Sequence, residues 1–397
     1  MTYFPHLTGK RILLVSHLLS QSGAPLLLVE TASALAKSGA RVALTNLGPK
    51  EPVFCIPTVE GLRVIPAGES FTEAYNADLI IANTAATKEW VNDLLTLHPD
   101  SGSKLIWWIH EMETEYYGRG MNGLSLAGAV IFDSHASYRL WRQTGLRMPA
   151  PARVIHPCVS DDFLRDTDEL RRPPAGSPPS GQRFGCDPSR ETIRKRLQVN
   201  SGDFLVSLFG DYCPRKGHDL LVKTVGRMLD ANPGLPCKVL LIGFRGGFSR
   251  QKFLNSLSEA ESLALSKHRV LRVVSDLKPY YLASDAFVMN TQDQGETFGR
   301  VTIEAMAFRL PVLGSDCGGT PEIVIDGVTG LLHPSGNYGQ PILAGNIRHL
   351  VNNPEQAAAL GEAGFQRVLN HFTEARFHKE LAETIDTVAR NFRTQCS

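Results

Sequence analysis

The chain has 397 residues, 43% hydrophobic and 20% charged, an ordinary globular balance with room for two or three domains. Lys plus Arg total 41 and Asp plus Glu 40, so neither a nucleic-acid partner nor an acidic disordered tract is expected. Seven cysteines stand singly (Cys55, Cys158, Cys186, Cys213, Cys237, Cys317, Cys396) without metal-ligand spacing, which predicts reduced thiols in a cytoplasmic protein and no structural metal.

Residues 12–29 lack Asp, Glu, Lys and Arg, but His17, Ser20, Gln21, Ser22, Gly23 and Pro25 interrupt them. Neither a cleaved leader nor a membrane span is therefore expected. Short β-branched runs follow at 11–15, 41–47, 62–67, 77–84, 104–111, 129–134 and 152–159. Helical patterns lie between several of them, the clearest at 25–37. Strand and helix in alternation imply a parallel sheet covered on both faces. Residues 166–190 hold five prolines and three glycines with little apolar periodicity, and predict a linker. The alternation then restarts, with strands at 204–210, 238–244, 268–274, 285–291, 311–316 and 329–334. Helices are expected at 217–231, 249–265, 299–308 and 354–369, and a charged amphipathic helix ends the chain. The expected division is 1–165, a linker at 166–190, 191–372, and a last helix at 373–397.

The stretch from Gly295 to Gly319, GETFGRVTIEAMAFRLPVLGSDCGG, carries most chemical information. It places a helix start at the carboxyl end of a strand, where open parallel sheets bind ligands. Gly299 permits close backbone approach, and the amides of Gly299, Arg300 and Val301 fall in the first turn, suited to a phosphate. Arg300 can add a cation there. Glu296 precedes this helix and Glu304 lies inside it, roughly 7 Å further along. Carboxylates beside a phosphate site make sense as acceptors for sugar hydroxyls; alone, the spacing equally suits a helix-start acid and a surface residue. Arg215 and Lys216, at the start of the 217–231 helix, are better explained by a bound polyanion than by the helix itself. Gly23, in the turn SQSGAP, leads from the first strand into a helix without a dinucleotide fingerprint. His110 ends the strand KLIWWIH at the same ligand edge, where a structural and a functional role are both open.

ETFGRVTIEAMA, PVLGSDCGGTPEIV and DGVTGLL, with PRKGHDLLVKTV, IWWIHEM, the SGAP turn and VIHPCVSDDF, resemble the retaining GT-B glycosyltransferases of family 4. The resemblance spans most of the chain. It implies an α/β fold of two facing Rossmann-like domains with an active cleft between them and the donor mainly on the second. It implies that Glu296 meets the donor sugar, Glu304 the ribose, Lys216 the diphosphate, and that His110 lies near the transferred sugar. Gly23 would approach donor and acceptor, and the last helix would cross back to the first domain. His110, Lys216 and Glu296 become the catalytic set. The donor-binding set is Gly23, Arg215, Lys216, Glu296, Phe298, Gly299, Arg300, Val301 and Glu304. The family usually has an arginine where Asp211 follows Gly210, and Arg215 is the candidate to compensate.

The implied reaction is metal-independent, retaining transfer of a sugar from a nucleoside diphosphate sugar to an acceptor hydroxyl, with no cofactor. The Asp166-Thr167-Asp168 string in the linker is read as accidental. A non-catalytic sugar-nucleotide-binding relative or partner subunit is the alternative, supported by Asp211. A cytoplasmic location is expected; peripheral association with the inner membrane face stays open, as do the sugar, base, acceptor and oligomeric state.

Overall fold

The computed structural model describes residues 3–20, 22–48, 56–149, 151–171, 188–244, 246–265 and 267–395. These form two compact units, residues 1–157 with 374–397, and residues 158–373. Cys55, Cys186 and Cys396, and residues 172–187 of the expected linker, lie outside the described residues.

The first unit holds β1 (Arg11–Ser16), β2 (Arg41–Asn46), β3 (Leu62–Ile65), β4 (Leu79–Asn83), β5 (Leu105–Ile109), β6 (Ala129–Phe132) and β7 (Ala152–Val154). They pair in parallel in the order β3-β2-β1-β4-β5-β6-β7. Every residue of β4, β5 and β6 is buried, which is why these segments read as continuous apolar runs rather than alternating ones. Leu13, Ile80, Trp107 and Val130 pack with Trp90, Val91 and Leu94 of helix Lys88–Leu97. The final helix, Glu374–Gln395, belongs to this unit: Phe377 stacks on Trp108 at 5.7 Å, and His378 lies edge-on to Phe4 at 5.4 Å.

The second unit holds β8 (Phe204–Phe209), β9 (Cys237–Phe244), β10 (Arg269–Arg272), β11 (Ala286–Met289), β12 (Val312–Ser315) and β13 (Gly330–His333), ordered β10-β9-β8-β11-β12-β13. Successive strand residues face opposite sides. Val206, Leu208, Val239, Leu241 and Val288 pack on Leu221, Val225, Leu343 and Ile347. Leu205, Phe209, Leu240, Ile242 and Phe287 pack on Ile303 and Met306. Both chain connections leave this unit side by side, where Val159 donates its amide to Phe372 O at 2.9 Å and bridges to Thr373.

The unit boundary falls at 157/158, not in the 166–190 segment. Residues 166–171 finish a helix, Asp161–Arg171, that starts in the second unit: Ser160 Oγ accepts from Phe163 N at 3.1 Å, and Asp161 and Asp162 sit in its first turn. Asp166 and Asp168 are therefore helical; Asp166 pairs with Lys278 at 2.5 Å and Asp168 faces Arg309 at 4.0 Å. At the other end, helix Pro188–Arg196 already belongs to the core, because Arg190 and Arg194 both bind the buried Asp285. The expected 249–265 helix is two, Gly246–Asn255 and Glu259–Leu265. Ser258 and Glu261 cap each other reciprocally across the break, at 2.7 and 3.3 Å, so the second helix starts afresh.

Candidate functional site

In each sheet the strand order reverses once, between β1 and β4 and between β8 and β11. Ligands of open α/β sheets bind at the carboxyl ends of strands at such a reversal.

At the β8/β11 reversal, Gly210 leaves β8 with φ 142° and a short turn, Pro214–Lys216, leads through Gly217 (φ 65°) into helix His218–Ala231. Gly217 has no room for a side chain: a Cβ would stand 2.2 Å from Asn290 O, and Asn290 Nδ2 donates to Gly217 O at 2.9 Å. The turn is thus clamped to the end of β11, and Lys216 is carried to Glu296, Nζ to Oε1 at 2.9 Å. Burial disfavours the Lys216 ammonium, but the charge and hydrogen bond of Glu296 outweigh it and hold the lysine above its usual value. Burial likewise works against the Glu296 carboxylate, and Lys216, aided by Arg215, overcomes it and holds the acid below its usual value. Arg215 braces the same loop by donating Nη1–H to Gly295 O at 3.0 Å.

Glu296 is also fixed from behind. Gly319 N donates to Glu296 O at 2.8 Å, and a Cβ on Gly318 would stand 2.3 Å from that oxygen. The double glycine after β12 is what lets the two loops touch. Gly299, at φ 90°, turns the chain into helix Arg300–Ala307, and Thr302 N donates to Gly299 O at 2.8 Å. The amides of Gly299, Arg300 and Val301 precede the first intrahelical bond, at the end of a helix where backbone donors have no intrahelical acceptor. Glu304 accepts from Tyr281 OH at 3.0 Å and pairs with Arg300 Nε at 3.3 Å.

Arg300 therefore serves the carboxylate of Glu304 in this arrangement, not a free phosphate-facing role. Phe298 belongs to the core: it is 2% exposed and lies edge-on to Phe372 at 5.6 Å, so its contribution to the loop comes through its backbone. Val301 packs partly into the same core. Arg215, Lys216, Glu296, Gly299, Arg300 and Glu304 are thus gathered in the second unit, whereas Gly23 and His110 lie in the first.

Gly23 starts helix Gly23–Lys37, and a Cβ there would meet nothing within 4 Å among the described residues. No packing or φ requirement of the fold explains this glycine. His110 follows β5 and is deeply set, its side chain 6% exposed. Its Nδ1 lies 2.7 Å from Asp133 Oδ2 and its Nε2 2.8 Å from Asn83 Oδ1. Burial would keep the ring neutral, but Asp133 and Glu111 outweigh it and hold His110 above its ordinary value. Trp108 Nε1 donates to the other Asp133 oxygen at 2.9 Å, which fixes the carboxylate. Both ring nitrogens are occupied, so contact with a ligand requires Asn83 to yield. On the neighbouring strand end, His17 Nδ1 meets Thr84 Oγ1 at 2.8 Å. Burial and the charge of His110 hold His17 below its ordinary value. Thr84 has φ 78°, a costly backbone for a β-branched residue. It is pinned by Trp107 Nε1 on its carbonyl (3.0 Å) and by Trp108 O on its amide (2.7 Å).

Sequence reasoning missed Asn83, Asp133, Tyr281, Asn290 and the His17–Thr84 pair. Asn83, Thr84, Asp133 and Asn290 stand at the ends of predicted strands, and polar residues ending buried runs are the signal that could have found them. Tyr281 gives no such signal.

Paired Rossmann-like units with parallel sheets are the architecture of the GT-B glycosyltransferases. Residues 8–166 match Glycosyl-transferase family 4 and residues 189–367 match Glycosyl transferases group 1, and the chain belongs to these glycosyltransferase families. Among curated proteins it is 29% identical over 209 residues to the D-inositol 3-phosphate glycosyltransferase of Rhodococcus erythropolis, covering 51% of this chain and 46% of that protein. The chain thus spans less than half the length of that relative. Among solved structures, Anabaena HepE in complex with UDP-glucose superposes with a TM-score of 0.75 at 20% identity, covering 94% of this chain and 99% of that one. Sucrose-phosphate synthase of Thermosynechococcus elongatus gives 0.70 at 20% identity, covering 94% and 98%. Among the described residues, no helix is long and apolar enough to cross a membrane.

Proposed function

We propose that this chain transfers a sugar from a nucleoside diphosphate sugar to an acceptor hydroxyl, with retention at the anomeric carbon and without a metal ion. The observation that carries the reading is the Lys216–Glu296 pair at the β8/β11 reversal, beside the start of the helix Arg300–Ala307. As the sugar–phosphate bond breaks, negative charge grows on the diphosphate while the anomeric carbon becomes oxocarbenium-like. Lys216, Arg215 and the helix-start amides are fixed donors for that charge, and such preorganised electrostatics is usually the largest catalytic term. They supply the positive charge that a divalent cation supplies in other transferases. Glu296, freed from Lys216 as the diphosphate takes the ammonium, accepts from sugar hydroxyls. Glu304 accepts from the ribose. Retention follows when the acceptor attacks from the leaving-group face and its proton passes to the departing phosphate oxygen, so no separate base is needed.

His110 and Gly23 are the residues of the first unit assigned to the sugar and acceptor. The bound UDP-glucose of HepE, and relatives named for glycosyl transfer, support a nucleoside diphosphate sugar as donor. The work is assigned to the cytoplasm, with acceptors at the inner membrane face included.

A thermal-shift panel of uridine, guanosine and adenosine diphosphates and their sugars tests the donor. Ligands that bind the native state raise its apparent stability by mass action. The true donor should stand out, and a flat panel would sink the reading. Asp211 favours one rival, a binding relative without catalysis. Slow release of free sugar from the selected donor distinguishes them: a binding relative shifts stability but releases none.

A further inference from the structure

Glu304 accepts the ribose only if its carboxylate keeps its direction when a nucleotide arrives. Tyr281 and Arg300 both hold it. Tyr281 OH lies 3.0 Å from Oε2 and Arg300 Nε 3.3 Å from Oε1. Arg300 is one helical turn from Glu304 on the same helix and moves with it. Tyr281 comes from a different element, helix Lys278–Ala283, and ties Glu304 to the body of the unit. Its ring is fully buried, stacked on Phe308 at 5.4 Å and edge-on to Phe209 at 4.9 Å. Its hydroxyl also lies 3.2 Å from Val301 O, in the first turn of the helix that presents the amides. A rigid aromatic body with one polar tip is suited to fix a carboxylate with little entropic cost.

We infer that Tyr281 is a positioning residue for nucleotide recognition: by holding Glu304 Oε2 it gives the site its preference for a ribose bearing free hydroxyls. The inference rests on the assignment of Glu304 to the ribose. Burial and the nearby Glu304 charge push the phenol well above its ordinary value, so the hydroxyl keeps its proton and remains a donor. A nucleotide lacking the 2′ and 3′ hydroxyls has nothing for Glu304 to accept from, and gains nothing from its orientation.

The test uses the full-length chain, with uridine, guanosine and adenosine diphosphates and their 2′,3′-dideoxy counterparts, measured by calorimetry. Tyr281→Phe keeps the buried ring and removes only the oxygen. The expected result is about a tenfold loss of affinity for the ribonucleotide, the size of one hydrogen bond to a charged group, with dideoxy affinity unchanged. In a Glu304→Ala background, the Tyr281→Phe exchange should change neither affinity, because the two residues act as a unit. Equal losses for ribo and dideoxy forms would show that the hydroxyl merely supports the fold, and would overturn the inference. A ribose preference in the wild type that survives Tyr281→Phe undiminished would overturn it too, while leaving the diphosphate site standing. Failure of all three diphosphates to bind wild type would remove the donor reading itself, and this inference with it. A change in melting temperature alone moves neither ratio.

Discussion

Lys216 and Glu296 each oppose the other's desolvation, and neither charge is stable there alone. Glu296 is held below its ordinary 4.5, so its share of stability is present above that value and is lost as pH falls through the lowered one. Lys216 is raised above 10.5, so its share is present below 10.5 and is lost as pH rises through the raised value. The ion pair persists across the neutral range, ready to exchange Glu296 for a diphosphate. Lys216→Ala should lower kcat/KM for the selected donor about 10²- to 10³-fold, read as transfer or slow hydrolysis. Unchanged kcat/KM would remove Lys216 from the mechanism. Arg215 makes a subtler case, since its Nη1 holds Gly295 O and so shapes the loop that carries Glu296. Arg215→Ala should weaken donor binding by about 1 to 3 kcal/mol, through a lost cation and a looser loop. Donor affinity equal to wild type would show that Arg215 does not compensate for Asp211. The position of Lys216 and Glu296 at strand ends was legible because each stands in a glycine-marked turn after a buried strand. Their direct pairing was not, since 80 residues of chain separate them and only the β8/β11 reversal joins them.

Strand existence was legible for a physical reason: parallel strands are covered on both faces, so β5 and β6 announce themselves as unbroken apolar runs and β4 and β8 as runs with a single polar residue. Strand order was not, because it depends on crossovers that leave no local pattern. The helix Pro188–Arg196 shows the opposite failure. Its surface-like composition, with Arg190, Glu191, Arg194, Lys195 and Arg196, hid a buried ion cluster. Arg190 Nη2 and Arg194 Nη1 bind the two oxygens of Asp285 at 2.7 and 2.9 Å, and Leu205 N donates to Asp285 at 2.7 Å. Arg194 further caps the carbonyl of Ala283 at 2.9 Å. These bonds tie the helix to the start of β8 and the entry to β11. Asp285→Ala leaves two buried guanidinium groups facing carbonyls without their counter-charge. It should destabilise the second unit by about 3–5 kcal/mol in urea unfolding. A loss under about 1 kcal/mol, typical of an exposed pair, would mean the cluster is solvated in solution.

At the scale of the whole molecule, the two-unit organisation was legible from the restart of the alternation after 190. The boundary was not, because Pro and Gly marked a connection after the helix Asp161–Arg171 rather than the crossing at 157/158. Each unit also carries buried histidines, and these link its stability to pH. His218 is pushed down to about 3 by burial and the neighbouring Lys216. His268 is pushed down to about 4 by burial and by Lys267, Arg269 and Lys238. In the first unit His378 is pushed down to about 4 by burial. Between 6.5 and these values the unfolded chain binds protons that the native state refuses, so stability falls with acidification at about 1.4 kcal/mol per pH unit for each histidine. His110 acts in the other sense. Its raised value gives stability that is complete below 6.5 and is lost as pH rises through the folded value, so it offsets nothing during acidification below 6.5. Burial also lowers His333 in the second unit and His17 in the first, so the second unit, with three such histidines against two, should lose stability faster than the first between pH 6.5 and 4. Urea unfolding at half-unit pH steps, followed by tryptophan emission for the first unit and amide exchange for the second, measures both slopes. His268→Gln should flatten the second unit's slope by about one proton, and a slope unchanged by that exchange would show that His268 already titrates in the native state.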